Sequence, residues 1–211
     1  MKYILCYGDS NTWGCVPETF ERYDFSVRWP GVMQRALGAE YHVYENALNG
    51  RTTVFEDPIE EGRNGRTGFE GVLMQNAPLD AMILMLGVND CKIRFSKQPW
   101  DIAWGLDLLL QIIEKERPGR DGRVPEIIVV PPVPIGGNWG SSLHGTVFDD
   151  ESRKKSVALS ALYRRIAERH HCTFFDPAAY AAAGADGIHL TPDDHRRLGR
   201  ALAGTVKDLF E

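Results

Sequence analysis

Five short apolar runs alternate with longer helical patterns along this chain, and this alternation constrains the fold more than any other feature. The runs have the length and composition of strands and span residues 2–8, 41–48, 80–87, 126–132 and 172–176. Helical periodicity is found in residues 29–37, 100–116, 151–171 and 192–210. Such alternation predicts an α/β fold whose strands form a parallel sheet with right-handed crossovers.

A length of 211 residues suits one domain of this kind, and no linker divides the chain. We therefore predict a single domain over residues 1–211, a flavodoxin-like three-layer α/β/α sandwich with a parallel sheet of about five strands. Three segments do not fit the alternation: 51–78, 91–99 and 133–149. The last is rich in glycine and is predicted to be a functional loop, since long loops usually carry lids or contact surfaces.

Composition argues against several classes of partner and cofactor. The net charge is -5 and the basic residues are scattered, so nucleic acid is not an expected partner. No apolar run approaches the ~18 residues of a membrane span, and the first run is too short for a signal peptide, so we expect a cytoplasmic protein. The four cysteines form no CxxC pair, and no phosphate-binding glycine motif occurs. We predict neither a metal nor a cofactor.

Polar residues follow four of the five apolar runs. In an open parallel sheet, ligands bind beyond the carboxyl ends of the strands, so these residues are expected to meet at one site. They are Asp9, Ser10 and Asn11 after the first run, Asn49 and Gly50 after the second, GVND (87–90) after the third, and DGIHLTPDDH (186–195) beyond the fifth.

The types of residue at these positions are those of nucleophilic catalysis. Ser10 lies where a strand turns into a helix, which would expose its hydroxyl at the sheet edge. A serine needs a base held in one tautomer, and His189 with Asp186 three residues earlier supplies a base and its orienter. The N–H groups of Ser10 and Gly50 and the side-chain amide of Asn89 are candidate donors to an oxyanion.

These residues also carry a resemblance to a known family. GDSNTWG, Gly50, GVND and DGIH resemble the four ordered blocks of the SGNH (GDSL-like) hydrolase superfamily, and VRWPGV, DAMILMLGVND and DGIHLTPDD resemble its arylesterase and acyltransferase branch. The similarity covers nearly the whole chain. It implies Ser10 as nucleophile, His189 as base, Asp186 as orienter, and Ser10, Gly50 and Asn89 as the oxyanion hole.

Two departures from that pattern concern the acyl pocket. The first block reads GDSN where many members have GDSL, and Cys15 follows TWG where the relatives carry tryptophan.

We therefore expect a serine esterase that hydrolyses small acetyl-like or aryl esters through an acyl-enzyme on Ser10, or transfers the acyl group to another alcohol. Carbohydrate deacetylase, thioesterase and lysophospholipase activities stay open, because fold and catalytic residues are shared among them. The alternative from another class is a non-enzymatic module whose strand ends bind a phosphate or a sugar.

Side chains around these motifs receive less specific predictions. Asn11, Trp13 and Trp139 are candidates for the substrate pocket, although a role in core packing or in an interface suits the two tryptophans equally well. Asp9 and Asp90 are expected to brace their turns by accepting backbone hydrogen bonds.

Predictions for other residues concern the surface and the assembly. Arg51 is expected to form a structural ion pair, and His144, His170, His171 and His195 are expected on the surface because no partner pattern accompanies them. Exposed aromatic residues in segment 133–149, Trp139 and Phe148, predict a homo-oligomer whose interfaces narrow a pocket for short acyl groups.

Overall fold

The sheet of this protein has five strands, all parallel. A computed structural model describes the backbone of residues 1–211 and every side chain except those of Ser141 and His144. The strands are β1 (Lys2–Gly8), β2 (Tyr41–Ala47), β3 (Ala81–Met85), β4 (Glu126–Val130) and β5 (Thr173–Phe174). Their spatial order is β2-β1-β3-β4-β5. The predicted α/β fold with a parallel sheet is confirmed.

The helices are α1 (Ser10–Trp13), α2 (Trp29–Leu37), α3 (Phe69–Asn76), α4 (Pro99–Glu116), α5 (Asp150–Arg169) and α6 (Pro192–Asp208). Single 3-10 turns occupy Asn89–Cys91, Ile93–Phe95, Arg120–Gly122, Trp139–Ser141, Leu143–Val147 and Pro177–Ala179. All four predicted helices are present. Helix α3 lies in a segment where none was expected, because it buries only Phe69 and Leu73 and gives little apolar periodicity.

Alternate side chains of the strands point into two separate cores, one on each face of the sheet. On one face, Leu5 and Leu84 pack in a cluster that includes α3, α4 and α5. On the other face, Ile4 and Ile83 pack in a cluster with α2 and α6. The sheet is thus covered on both sides, as its nearly continuous apolar strands indicated.

Segment 133–149 is packed more closely than predicted. Phe148 is 4% exposed and belongs to the core beneath α5, and Trp139 is partly buried against the same core. The expectation that both aromatic rings face water is therefore wrong, because 3-10 turns fold this segment back onto the sheet. Leu143, in the same segment, is a hydrophobic residue that does face water, since it is 77% exposed.

No helix in the part of the chain that the structure describes is long and apolar enough to cross a bilayer.

Candidate active site

The turn from β1 into α1 presents Ser10 at the carboxyl edge of the sheet. Asp9 caps α1, and its Oδ1 accepts a hydrogen bond from the Asn11 N–H at 2.9 Å, so it braces the turn as predicted. Gly8 is required there, since a Cβ on it would lie 2.0 Å from Thr12 Oγ1. Burial raises the pKa of Asp9 to about 7, against its hydrogen bond from Asn11, which lowers it.

Ser10, His189 and Asp186 form a continuous chain of hydrogen-bonding contacts. Ser10 Oγ lies 3.0 Å from His189 Nε2, and His189 Nδ1 lies 2.6 Å from Asp186 Oδ2. Asp186 is fully buried, and its other oxygen accepts the N–H groups of Ile188 and His189 at 2.9 and 2.8 Å. The structure brings these three predicted residues together across 179 positions of sequence.

The interaction between His189 and Asp186 shifts the pKa of both side chains. Burial alone would lower the pKa of His189, but the Asp186 carboxylate and the Cys15 thiol outweigh it and raise the pKa above its ordinary value. Burial would likewise raise the pKa of Asp186, and the hydrogen bonds and charge of His189 reverse this and hold it below its ordinary value. Asp186 is therefore ionised at neutral pH and can orient the imidazole.

Asn11 holds the loop of His189 and does not line the cavity, which corrects the prediction for it. Its Nδ2 donates to the Ile188 carbonyl at 3.2 Å, and its Oδ1 accepts the Leu190 N–H at 3.1 Å. Asn11 thus hydrogen-bonds to the backbone on both sides of His189. Nothing in the local sequence indicates this role, because both partners are distant in the chain.

Two loops bring Gly50 and Asn89 to the same edge of the sheet. Gly50 has a φ of +76°, which favours glycine, and the Nδ2 of Asn89 donates to the Arg51 carbonyl at 3.1 Å. Asp90 Oδ1 accepts the N–H and hydroxyl of Thr53 at 2.9 and 2.5 Å, so it braces the loops as predicted. Burial raises the pKa of Asp90 to about 6, although the bonds from Thr53 lower it.

A cavity of about 490 Å³ opens over these residues and is lined by Ser10, Gly50, Asn89 and His189. Neither Trp13 nor Trp139 lines it, so the pocket role predicted for them is wrong. The Trp13 ring lies 4.9 Å from the Arg22 guanidinium, and Trp139 packs on the core. Among the described residues, no cluster of His, Cys, Asp or Glu could hold a metal ion.

Arg51 also differs from its prediction, since its guanidinium hydrogen-bonds to neutral oxygens. It donates to the carbonyls of Gly8 and Asn46 at 3.0 and 2.8 Å, and it lies 4.1 Å from the Tyr7 ring centroid. It thereby ties the end of β1 to the end of β2. The predicted ion pair is absent from the contacts of the described side chains.

The histidines do not all lie on the surface. His195 is fully buried: its Nδ1 accepts the Trp29 N–H at 3.3 Å, and burial lowers its pKa to about 3, which keeps the ring neutral. His170 is half-buried between Asp107 and Glu114, at 2.6 and 2.7 Å. Both surface predictions are wrong, because tertiary partners are invisible in the local sequence.

His171 is exposed as predicted, and the side chain of His144 lies outside the described residues.

The geometry agrees with comparisons to known proteins. The model of the GDSL-like lipase/acylhydrolase family matches residues 6–197. The chain belongs to this family. The resemblance in the sequence motifs is thereby confirmed, and the GDSL-like chain is a serine-type hydrolase of carboxylic esters.

Solved structures of GDSL-like relatives superpose closely on the protein. The aryl esterase of M. smegmatis is 36% identical with a TM-score of 0.93, and each chain is covered completely. A carbohydrate acetylesterase from Sinorhizobium meliloti is 35% identical with a TM-score of 0.91 and the same coverage. A lipase/acylhydrolase from Enterococcus faecalis, 17% identical with a TM-score of 0.73 over 100% and 98% of the chains, shares the fold. No curated protein matches the sequence.

Proposed function

We propose that this protein hydrolyses short acyl esters through an acyl-enzyme on Ser10. His189 Nε2 takes the proton of Ser10 Oγ as that oxygen attacks the ester carbonyl, and it then gives the proton to the leaving alcohol. A water molecule activated by His189 releases the acid. The observation that carries this proposal is the contact chain from Asp186 through His189 to Ser10, at 2.6 and 3.0 Å.

In this proposal, the oxyanion of the tetrahedral intermediate accepts hydrogen bonds from the N–H groups of Ser10 and Gly50 and from Asn89 Nδ2. An amide nitrogen carries two hydrogens, and one of them on Asn89 is already directed to the Arg51 carbonyl. The other is free to point into the cavity that Asn89 lines. Donors fixed in this way require little reorganisation when charge develops on the substrate.

A binding module is the alternative from another class, and the arrangement of Ser10 argues against it. A site for a phosphate or a sugar has no need of a serine hydroxyl 3.0 Å from an imidazole that is oriented by a buried carboxylate. The GDSL-like family and its esterase neighbours favour the enzyme.

A panel of p-nitrophenyl esters from acetate to dodecanoate tests the proposal. We expect hydrolysis to be fastest with acetate and to fall as the acyl chain lengthens, because bulky, buried side chains such as Phe148 and Ile188 line the cavity. Initial rates measured by absorbance give kcat/KM for each ester. Absence of hydrolysis across the panel would contradict the proposal, and a preference for dodecanoate would indicate a different acyl site.

Asn89→Ala tests the oxyanion assignment. Loss of one preorganised donor is expected to lower kcat by roughly a hundredfold or more with a smaller change in KM, since the bond strengthens only in the transition state. Steady-state kinetics on p-nitrophenyl acetate measure both constants. Asn76→Ala is the control variant, because Asn76 lies at the end of α3, outside the cavity, and its side chain donates to the Val72 carbonyl of the same helix. A change in KM alone would make Asn89 a residue for substrate binding.

The pH profile follows from the pKa of His189. The base must be neutral to accept the Ser10 proton, and the pKa of His189 is raised above its ordinary value by Asp186 and Cys15 despite burial. We therefore expect kcat/KM to rise with pH on the alkaline side of 6.5, the ordinary histidine value. A profile from about pH 5 to about pH 10 checks this. If kcat/KM already reached its maximum at a pH well below 6.5, the pKa of His189 would not be raised by Asp186, and the prediction would be wrong.

The proposal extends to assembly and to acyl transfer. Leu143 is 77% exposed at the cavity and Phe20 beside it is 48% exposed, which suits coverage by a second copy of the chain. A homo-oligomer would narrow the entrance and favour short acyl groups, and a drier site would allow an alcohol to compete with water. Light scattering at micromolar concentration tests the assembly, and a monomer would remove this argument for a narrow site.

Residues 1–211 are proposed to act as one catalytic domain. The cytoplasm is the proposed compartment, because all four cysteines are free thiols.

A further inference from the structure

One wall of the catalytic cavity carries charged side chains that the proposed chemistry does not use. Glu60, Arg63 and Lys92 line the cavity together with Gly50. A Cβ on Gly50 would lie 3.0 Å from Glu60 Oε2 and 3.4 Å from Arg63 Nε, so both groups are neighbours of the proposed oxyanion hole. A substrate held at Ser10 therefore meets a carboxylate and a guanidinium group close to its ester.

The two carboxylates of this wall are paired with Lys92 and Arg94. Asp57 is buried, and its Oδ2 accepts from Arg94 Nε at 3.1 Å and lies 3.9 Å from Lys92 Nζ. Glu60 Oε1 accepts from Arg94 Nη2 at 2.9 Å and from Lys92 Nζ at 3.4 Å. Two carboxylates are therefore balanced by two cations before Arg63 is considered.

Arg63 is the cation that this pairing leaves over. Its Nε is buried without a hydrogen-bond partner and lies 3.5 Å from Glu60 Oε2. Within the described part of the chain, the Arg63 guanidinium donates no hydrogen bond, whereas the guanidinium groups of Arg28, Arg51 and Arg94 each donate to protein oxygens. The Arg63 side chain is 28% exposed, so its outer N–H groups can reach a ligand in the cavity that it lines.

Both the hydrogen-bonding capacity and the charge of Arg63 call for an anionic acceptor. A guanidinium group holds its N–H donors in a rigid plane that matches the oxygens of a carboxylate. Largely buried donors are nearly always hydrogen-bonded, because a charged donor without an acceptor costs free energy. The wall also has three cations against two carboxylates. A ligand with a single negative charge would satisfy the donors and balance the charge.

We propose that Arg63 selects a substrate whose alcohol half carries a carboxylate. This inference rests on the proposed function: a short acyl group carries no charge, so the anion that meets Arg63 belongs to the alcohol. The substrate class is a short-acyl ester of a hydroxycarboxylic acid. The Nη groups of Arg63 bind its carboxylate while Ser10 attacks the acyl carbonyl.

Charge distinguishes this class from three others. A carboxylate has one negative charge, which balances the wall, whereas a phosphate monoester carries close to two. A cationic ester is repelled by Arg63 and finds the Glu60 carboxylate already paired. A neutral ester offers Arg63 only uncharged acceptors, which form weaker hydrogen bonds with a guanidinium group.

The test compares esters that share an acetyl group and differ in the charge of the alcohol. They are O-acetyl glycolate, its neutral amide O-acetyl glycolamide, acetoxyethyl phosphate and acetylcholine. Selectivity is the ratio of kcat/KM for O-acetyl glycolate to that for its amide, so a general loss of activity in a variant divides out.

Two variants of Arg63 and one control separate charge from geometry. Arg63→Gln removes the charge, and Arg63→Lys keeps the charge but loses the planar set of N–H donors. Arg66→Gln is the matched control, because Arg66 is exposed on the same segment and lies outside the cavity.

The wild-type protein is expected to favour O-acetyl glycolate over its amide by about tenfold or more, the effect of one hydrogen-bonded ion pair. Arg63→Gln should remove this preference, Arg63→Lys should keep part of it, and Arg66→Gln should keep all of it. The loss should appear mainly in KM, because the carboxylate is bound equally in the ground state and in the transition state.

Inhibition by the alcohol product gives a second measurement that needs no turnover of a charged ester. Glycolate should inhibit the hydrolysis of p-nitrophenyl acetate by the wild-type protein more strongly than glycolamide does at equal ionic strength. This difference should disappear in Arg63→Gln and persist in Arg66→Gln.

Several results would overturn the inference. Equal kcat/KM for O-acetyl glycolate and its amide in the wild-type protein does so, as does a preference for acetylcholine or for acetoxyethyl phosphate. A preference for O-acetyl glycolate that persists in Arg63→Gln also does so, because another group would then bind the carboxylate. In each case, hydrolysis itself still supports the proposed function. Absence of hydrolysis with every ester, p-nitrophenyl acetate included, would overturn the proposed function as well.

Discussion

Replacing Ser10 by alanine is expected to lower kcat by roughly 10⁴-fold or more, because the mutation removes the hydroxyl that lies 3.0 Å from the base, His189 Nε2. The fold should be unaffected. Ser10 is 5% exposed, and its backbone role at the start of α1 does not need the hydroxyl, since Asp9 provides the cap. Kinetics on p-nitrophenyl acetate measure the loss, and circular dichroism checks the fold.

A fluorophosphonate probe makes the assignment of Ser10 direct. The wild-type protein should gain the mass of one phosphonyl group on the peptide that contains Ser10, and Ser10→Ala should gain none. Ser26→Ala, at an exposed site, is the matched control and should label like the wild type. Turnover by Ser10→Ala near the wild-type rate, or labelling at another serine, would show that the nucleophile is elsewhere.

Asp186→Asn is expected to lower kcat by about 10⁴-fold without disturbing the loop, because the two oxygens of Asp186 have different partners. Oδ1 accepts the backbone N–H groups of Ile188 and His189, and the asparagine carbonyl can keep both. The new NH₂ group then faces His189 Nδ1 and donates to it. The proton of the imidazole moves to Nε2, which can no longer accept the Ser10 proton.

Two measurements separate this tautomer effect from simple unfolding. The melting temperature of Asp186→Asn should stay close to that of the wild type, and His189→Ala should lose activity to a similar degree, since members of such a chain act as a unit. Asp208→Asn, exposed on α6, is the control. An Asp186→Asn enzyme that retains most of its activity would show that His189 is oriented by another group.

Residues adjacent to the strand ends could be read from the sequence because a parallel sheet gathers them at one edge. Ser10, Gly50 and Asn89 follow this rule, since they come directly or within a few residues after β1, β2 and β3. Asp186 and His189 lie well beyond the end of β5, and the order of the sequence motifs grouped them with the others. The long helices were equally visible, since their apolar faces repeat with the period of a helix.

Tertiary pairing explains what the sequence did not reveal. Asn11 was predicted in the pocket, but its amide finds partners 177 and 179 positions away. His195 was predicted on the surface and is buried against Trp29, across 166 positions. Glu60 lines the cavity but comes from a segment without periodicity, so no local signal indicated that it would lie there.

The hydrogen bonds between Asn11 and the backbone around His189 also have a consequence for the synthesis of the protein. A ribosome delivers Ser10 before His189, which follows it by 179 positions. Until His189 has been added, the serine lacks its base, and the carbonyl and N–H groups that Asn11 needs do not yet exist. Under the proposed mechanism, a nascent chain cannot hydrolyse esters or acylate itself before that point. Esterase activity therefore marks molecules in which the loop of His189 has been synthesised and has folded against Asn11.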